Sequence, residues 1–217
     1  MQKTSYTAQQ KSSKTDEQIL VVKRSHLFPA ASTPWNGIHD TIFNDFFALT
    51  QHHKEFHPRG LMETDPTYKQ IIPYLVFTHQ NKLFLMQRMA SAGEQRLKNK
   101  YTLGIGGHIR KEDLIASSNN IMSWAEREFH EEVHYNDAFT VKPLGILNDD
   151  SDLVGQVHLG FVLLIEGSSP AIAVKSELKS GALYSLEECQ FFYNSMEGWS
   201  QTIFTYLNNT AHKETKV

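Results

Sequence analysis

The alternation of apolar and polar positions divides the chain into a polar lead, a short extension and a longer strand-rich stretch. Residues 1–17 hold almost nothing to bury, so a disordered tail is expected there. QILVVKR (18–24) predicts a short strand. In IHDTIFNDFFALT (38–50), Ile38, Ile42, Phe43, Phe46 and Phe47 recur at helical intervals, which predicts an amphipathic helix with a core-facing aromatic stripe. QHHKEFHPRG (51–60) contains the turn markers Pro58 and Gly60. His52, His53 and His57 therefore read as solvated loop histidines and not as zinc ligands.

From about residue 66 strands dominate. IIPYLVFTH (71–79) and KLFLMQR (82–88), joined by Gln80 and Asn81, predict a hairpin. A polar, basic loop (90–100) leads to YTLGIGGHI (101–109), a strand running into glycines. WAEREFHEEVHY (124–135) lies in a helix on which Met122, Ala125, Phe129 and Val133 gather on one side as the buried stripe. FTVKPLGILND (139–149) and LVGQVHLGFVLLIE (153–166) read as strands, the second nearly all apolar and so central. AIAVK (171–175) and GALYSL (181–186) suggest further short strands. Helices near 186–194 and 195–209 close the chain, with Trp199, Ile203, Phe204 and Leu207 on one face of the second. There is no internal repeat. The order of elements predicts an α+β or α/β fold, a mixed sheet sandwiched between helices.

Composition narrows the partners. The 217 residues suggest one domain with decoration, 40% hydrophobic and 11% aromatic, enough for a core. A net charge of -3 gives no case for a nucleic-acid polymer or a polybasic membrane anchor. The single cysteine, Cys189, excludes an internal disulfide and fits a reducing compartment. No apolar run approaches the roughly 18 residues that cross a bilayer, and the N-terminus has no apolar leader segment. A cytoplasmic protein is expected.

The candidate chemistry sits on the helix. Glu128, Glu131 and Glu132 stand at i, i+3 and i+4, where like charges repel by about 0.2–0.5 kcal/mol per pair. The acids lie at the edge of the buried stripe, where a hard divalent cation such as magnesium or manganese would relieve them. Arg127 is spaced to pair with Glu131 at i+4. A solvated acidic face is the plain alternative.

The combination GGHI…REFHEEVHY resembles the Nudix hydrolase box, G-x5-E-x7-R-E-U-x-E-E-x-G-U, where U is aliphatic or aromatic. Gly107 matches the first glycine, and Arg127, Glu128, Phe129, Glu131, Glu132 and Tyr135 match the second half. The resemblance implies Mg2+ or Mn2+ held by Glu128, Glu131, Glu132 and the carbonyl of Gly106, with Arg127 positioning a glutamate. It implies that Glu128, Glu131 and Arg127 serve catalysis, on a small phosphorylated substrate cleaved at a diphosphate linkage. The Nudix-like domain would run over 66–210, with 18–65 as an extension packed on it, shaping the pocket or forming a homodimer interface. Gly107 and Arg127 are 20 positions apart where the box has 14, so six residues are inserted. Counting forward places the first acid at Asp113, beside Glu112; counting back places it at Asn119. His134 stands where the box has the glycine of a left-handed helix end. Glu177 is the nearest extra acid in a later loop, and Arg88, Arg96, Lys98, Lys100 and His108 are candidate phosphate contacts.

Two rival readings share the fold. QRMASAGEQRLKNKYTLGIGGHI also resembles isopentenyl-diphosphate isomerases, but the cysteine that chemistry needs just upstream of the glycines is absent. A regulatory module that has lost catalysis is the other.

Overall fold

The computed structural model describes residues 14–30, 33–89, 99–116, 121–175 and 178–214. The framework is set by β1 (Gln18–Lys23), β2 (Gly37–His39), β3 (Lys54–Pro58), β4 (Tyr68–His79), β5 (Lys82–Arg88), β6 (Tyr101–Thr102) and β7 (Gly104–Gly106), followed by β8 (Val133–His134), β9 (Phe139–Asn148), β10 (His158–Gly167), β11 (Ala173–Val174) and β12 (Leu178–Tyr184). Ten of these form one mixed sheet whose main path is β12-β5-β4-β10-β9-β2, while β8 and β11 form a separate pair. β10 runs parallel to β4 and antiparallel to β9, and is central as its apolar run predicts.

Both faces of the central strands are covered, and their alternation divides two cores. Ile71, Leu75 and Phe77 of β4, with Leu159, Phe161, Leu163 and Ile165 of β10, face one core. That core is closed by the helices α2 (Phe43–His53) and α5 (Ile121–Glu132), through Phe43, Phe46, Trp124, Ala125 and Phe129. Tyr74, Val76 and Val162 face the other core, which α7 (Leu186–Gln190) and α8 (Gly198–Glu214) close with Cys189, Ile203 and Phe204. Period-two alternation along each strand sends neighbours to opposite layers. The result is the mixed sheet between helices expected from the sequence.

The β4–β5 hairpin turns on Gln80 and Asn81, both left-handed with φ of 49° and 61°, as a two-residue primed turn requires. The remaining short helices are α1 (Arg24–Leu27), α3 (Arg59–Met62), α4 (Lys111–Ala116) and α6 (Leu153–Val157).

Several boundaries differ from expectation. Residues 1–13 of the expected tail lie outside the described residues, but Lys14–Asp16 make a 3-10 turn, with Thr15 against Gly60. The helix expected at 38–50 is α2, shifted to Phe43–His53, because Gly37–His39 pairs instead with the edge of β9. His52 and His53 close α2, and His57 lies in β3 with its ring 2.8 Å from Glu55, so the expected loop is an element end and a strand. The strand expected from residue 153 begins at His158, because Asp152 caps a helical turn by accepting from the Gly155 N–H at 2.7 Å. At the end of α5 the chain passes into β8, where His134 pairs with Ala173. His134 is not among the residues with positive φ, so the left-handed helix end is replaced and not reproduced.

Candidate active site

Residues 18–65 enter the same sheet: β1 pairs with β3 and β4, and β2 extends the edge beside β9. A buried charge cluster ties this segment to the centre. Lys69 is fully buried on β4 and donates to Asp150 (2.8 Å), to the Gly155 carbonyl (2.7 Å) and to the His158 carbonyl (3.1 Å). Arg24 forks onto the same Asp150 carboxylate. Burial lowers the Lys69 ammonium to about 8, against the pull of Asp150. Burial pushes Asp150 up, but the hydrogen bonds from Arg24 and Lys69 outweigh it and hold the carboxyl below its ordinary value. The opposite demands on the two partners have one origin: the lysine is the more deeply enclosed.

The acidic helix is arranged differently. α5 buries Trp124, Ala125 and Phe129 and carries Glu128, Glu131 and Glu132 round its rim; the side chain of Met122 lies outside the described set. Arg127 donates to Asp113 (3.0 Å) and to Glu131 (2.5 Å) and stands 3.4 Å from Glu128. Asp113 is itself held by the Arg110 N–H (2.7 Å). The forward count from Gly107 thus lands on the carboxylate that anchors Arg127, and the inserted residues fall between Asp113 and α5. Asn119 lies outside the described residues, and Glu112 is exposed on α4.

Glu128 explains the glycine. A Cβ on Gly107 would stand 1.8 Å from Glu128 Oε1, so only a residue without one lets the carboxylate lie across the backbone there. Burial pushes Glu128 up to about 7; Arg127 opposes the rise, while Glu131 and Glu132 add to it. This helix therefore carries more negative charge than its one anchored arginine neutralises.

Two cavities meet at Gly106 and Arg88. A small one of about 70 Å³ is lined by Arg88, Gly106, Glu132 and Leu178 among others. A larger one of about 190 Å³ continues past Gly106, Gly107 and His108 to Asp149, Asp152, His158, Glu197 and Trp199. A buried hydroxyl network underpins its floor. Tyr74 Oη lies 3.1 Å from Thr102 Oγ1 and 3.0 Å from Ser200 Oγ, and the Leu103 N–H donates to Ser200 Oγ at 2.9 Å. These bonds lock the start of α8 to the glycine strand.

The sequence candidates are thus partly assembled. Glu128, Glu131, Glu132, Arg127 and Asp113 share one surface, and Gly106, Arg88 and His108 line the adjoining cavities. Lys100 accepts the Arg88 N–H through its carbonyl. Arg96, Lys98 and Glu177 lie outside the described residues. Among the described residues, no three His, Cys, Asp or Glu side chains converge as a ready cation cage. Glu131, half exposed, is drawn to Arg127, while Glu128 folds onto Gly107. The donor set is nonetheless all oxygen and under-neutralised, which fits a hard divalent cation once Glu131 turns from Arg127. Sequence reasoning missed Asp149, Asp152, His158, Glu197 and the second role of Trp199. The three aspartates packed into NDDSD were the signal available.

No family model matches the sequence. Protein YmaB of Bacillus subtilis (strain 168) is 33% identical over 204 residues, covering 89% of this chain and 98% of its own. Tm1382, a solved structure that carries a provisional assignment as a Nudix hydrolase, is 32% identical, with a TM-score of 0.75 over 89% of this chain and all of its own. The Nudix domain of Shewanella oneidensis NrtR, solved with ADP ribose, has a TM-score of 0.51 over 66% of this chain and 88% of its own. At 13% identity that likeness shows the fold alone. By the likeness to Tm1382, over 89% of its length, the chain belongs to the Nudix hydrolase family.

Proposed function

We propose that the protein is an Mg2+- or Mn2+-dependent hydrolase that cleaves a diphosphate linkage in a nucleoside diphosphate derivative or a related organic pyrophosphate. The observation that carries this reading is the excess of carboxylates around Glu128, a buried carboxyl raised to about 7 by burial and lying against Gly107, which lines the larger cavity. Glu128, Glu131, Glu132 and the Gly106 carbonyl are the groups to hold the cation. When bound, a divalent ion neutralises diphosphate charge and acidifies the attacking water.

The chain's own residues supply the rest. Asp113 fixes Arg127, and Arg127 fixes the direction in which the glutamates of α5 point. Arg88, between the two cavities and 3.4 Å from Glu197, is placed to meet a phosphate entering past Gly106. His108 donates from Nε2 to Gln70 (2.7 Å) and shapes the cavity wall. Cys189 is buried in the second core, with its thiol pushed up to about 12 by burial. It lines neither cavity at Gly106, which weighs against isomerase chemistry. The Asp113–Arg127 anchor weighs against a decayed box.

The deciding assay is a panel of nucleoside diphosphate derivatives, dinucleoside polyphosphates and isoprenoid diphosphates with Mg2+ or Mn2+. Hydrolysis of a diphosphate bond that stops with chelator is expected. No turnover of any member in either metal would refute the reading.

A further inference from the structure

The chain between the glycine strand and α4 is pinned by the N-terminal segment. The Leu20 N–H of β1 donates to the Ile109 carbonyl at 2.7 Å, and Ile19 and Arg110 form an isolated antiparallel bridge. Leu20 and Ile109 are buried in the same core, so the point from which the Arg110 side chain leaves the backbone is fixed. The Arg110 N–H donates to Asp113 Oδ2 at 2.7 Å. Its guanidinium lies 3.5 Å from Asp113 Oδ1 and 3.8 Å from Glu131 Oε1. Glu131 Oε1 thus has two guanidiniums beside it, and they are not equivalent. Arg127 hydrogen-bonds to it and is anchored on Asp113. Arg110 is 38% exposed, stands beyond hydrogen-bond reach of Glu131 and acts on it through charge. That charge also opposes the rise at Glu128.

We propose that Arg110 is a positioning residue for Glu131: it is a counter-charge that a divalent cation has to displace, and through it the N-terminal segment sets how tightly the cation is held. The proposal rests on the reading of Glu131 as a cation ligand and goes beyond it to what tunes that site. A cation that takes Glu131 draws the carboxylate away from both arginines and brings like charge toward them. Asp113 is then the carboxylate the two guanidiniums share. The cost falls on cation affinity, and at a half-exposed group it is screened by salt. A purely structural role for the side chain has the opposite sign, because loosening the ligands weakens binding. The backbone bonds of residue 110 to β1 and to Asp113 do not depend on its side chain, so the charge can be removed with the chain left in place.

The test is calorimetric binding of Mn2+ to the full chain at pH 8 without substrate, so that no turnover is read. Arg110→Gln and Arg110→Met both drop the charge, and Met keeps the bulk of the stem. With circular dichroism unchanged, each is expected to bind Mn2+ tighter by roughly three- to tenfold in low salt, a gain that shrinks in high salt. Arg110→Lys keeps the charge and is expected to stay within about twofold of wild type. Glu131→Gln removes the group through which Arg110 acts. Adding Arg110→Gln to it is expected to return less than about half of the gain on a logarithmic scale. Unchanged or weaker Mn2+ binding in the uncharged variants, or a Lys variant that matches them, would overturn the proposal. So would a full gain kept in the Glu131→Gln background, or no Mn2+ binding by wild type and variants alike. Tighter Mn2+ binding by Arg110→Gln in a protein that hydrolyses no diphosphate refutes the hydrolase reading and leaves the role of Arg110 standing. Hydrolysis with a Mn2+ affinity indifferent to Arg110 does the reverse.

Discussion

Asp150 and Glu128 are both carboxylates withdrawn from water, and they lead opposite lives. Asp150 receives Lys69 and Arg24, and is held ionised below its ordinary range. Glu128 shares Arg127 with Asp113 and Glu131, sits beside Glu132, and is raised to about 7. Burial pushes both the same way. What separates them is hydrogen bonding and depth: Asp150 accepts hydrogen bonds from both of its cations, whereas burial dominates at Glu128 and Arg127 and Arg110 oppose it through charge. A compensated carboxylate joins the N-terminal segment to the sheet; an under-compensated one, against Gly107 in the wall of the larger cavity, waits for charge from outside.

The comparison can be broken first at its structural end. Asp150→Ala leaves the fully buried Lys69 without its counter-ion and is expected to cost about 3–5 kcal/mol in chemical denaturation. A loss below about 1 kcal/mol would show that the cluster is not holding the segment. At the other end, Glu128→Gln removes a charge that the fold disfavours. Between the ordinary value of 4.5 and about 7 the native state keeps a proton that the unfolded chain gives up. Stability of the metal-free wild type therefore falls as pH rises through that window. The variant lacks this slope, and above pH 7 should be the more stable, by up to about 3.5 kcal/mol. Asp150 slopes the other way: its contribution is present above its ordinary value and is lost as acid protonates it through its lowered one.

A third change acts through the backbone. Gly107→Ala places a Cβ where the Glu128 carboxylate lies, and is expected to displace that flexible side-chain end at a cost of no more than about 1 kcal/mol. Diphosphate hydrolysis should fall with it. An unchanged rate would show that Glu128 rests elsewhere. The smallest effect is expected at Glu131→Gln. The pair with Arg127 is half exposed, so metal-free stability should move by less than about 0.5 kcal/mol.

The sequence exposes local features better than assembled ones. The hairpin was legible because two strand-like runs flank a two-residue polar link ending in Asn81, which tolerates positive φ, and the two cores because β4 and β10 alternate at period two. The glutamates of α5 were legible because their spacing belongs to one helix. The Arg127–Glu131 pair was legible with them, but the anchoring of Arg127 on Asp113 and of Glu128 on Gly107 was not, since those partners lie 14 and more residues away. Lys69 reads as an ordinary polar residue at the start of a strand; its counter-ion lies 81 positions downstream. Trp199 read as part of an apolar stripe with Ile203 and Phe204, and it does pack on that core, but one turn earlier on α8 it also reaches the cavity. The cavity itself draws on strand, loop and helix segments from Ile72 to Trp199, and no window of sequence holds it.

The central claim, that the charge missing around Glu128 is supplied by a divalent cation, is tested most directly by thermal melting of wild type and Glu128→Gln at pH 8, with chelator and with millimolar Mn2+. A ligand that binds only the native state raises its melting temperature. The account predicts that the variant melts above the wild type in chelator, and that Mn2+ raises the wild type enough to close or invert that gap while leaving the variant nearly unmoved. A gap of the same sign and size in both conditions would contradict it.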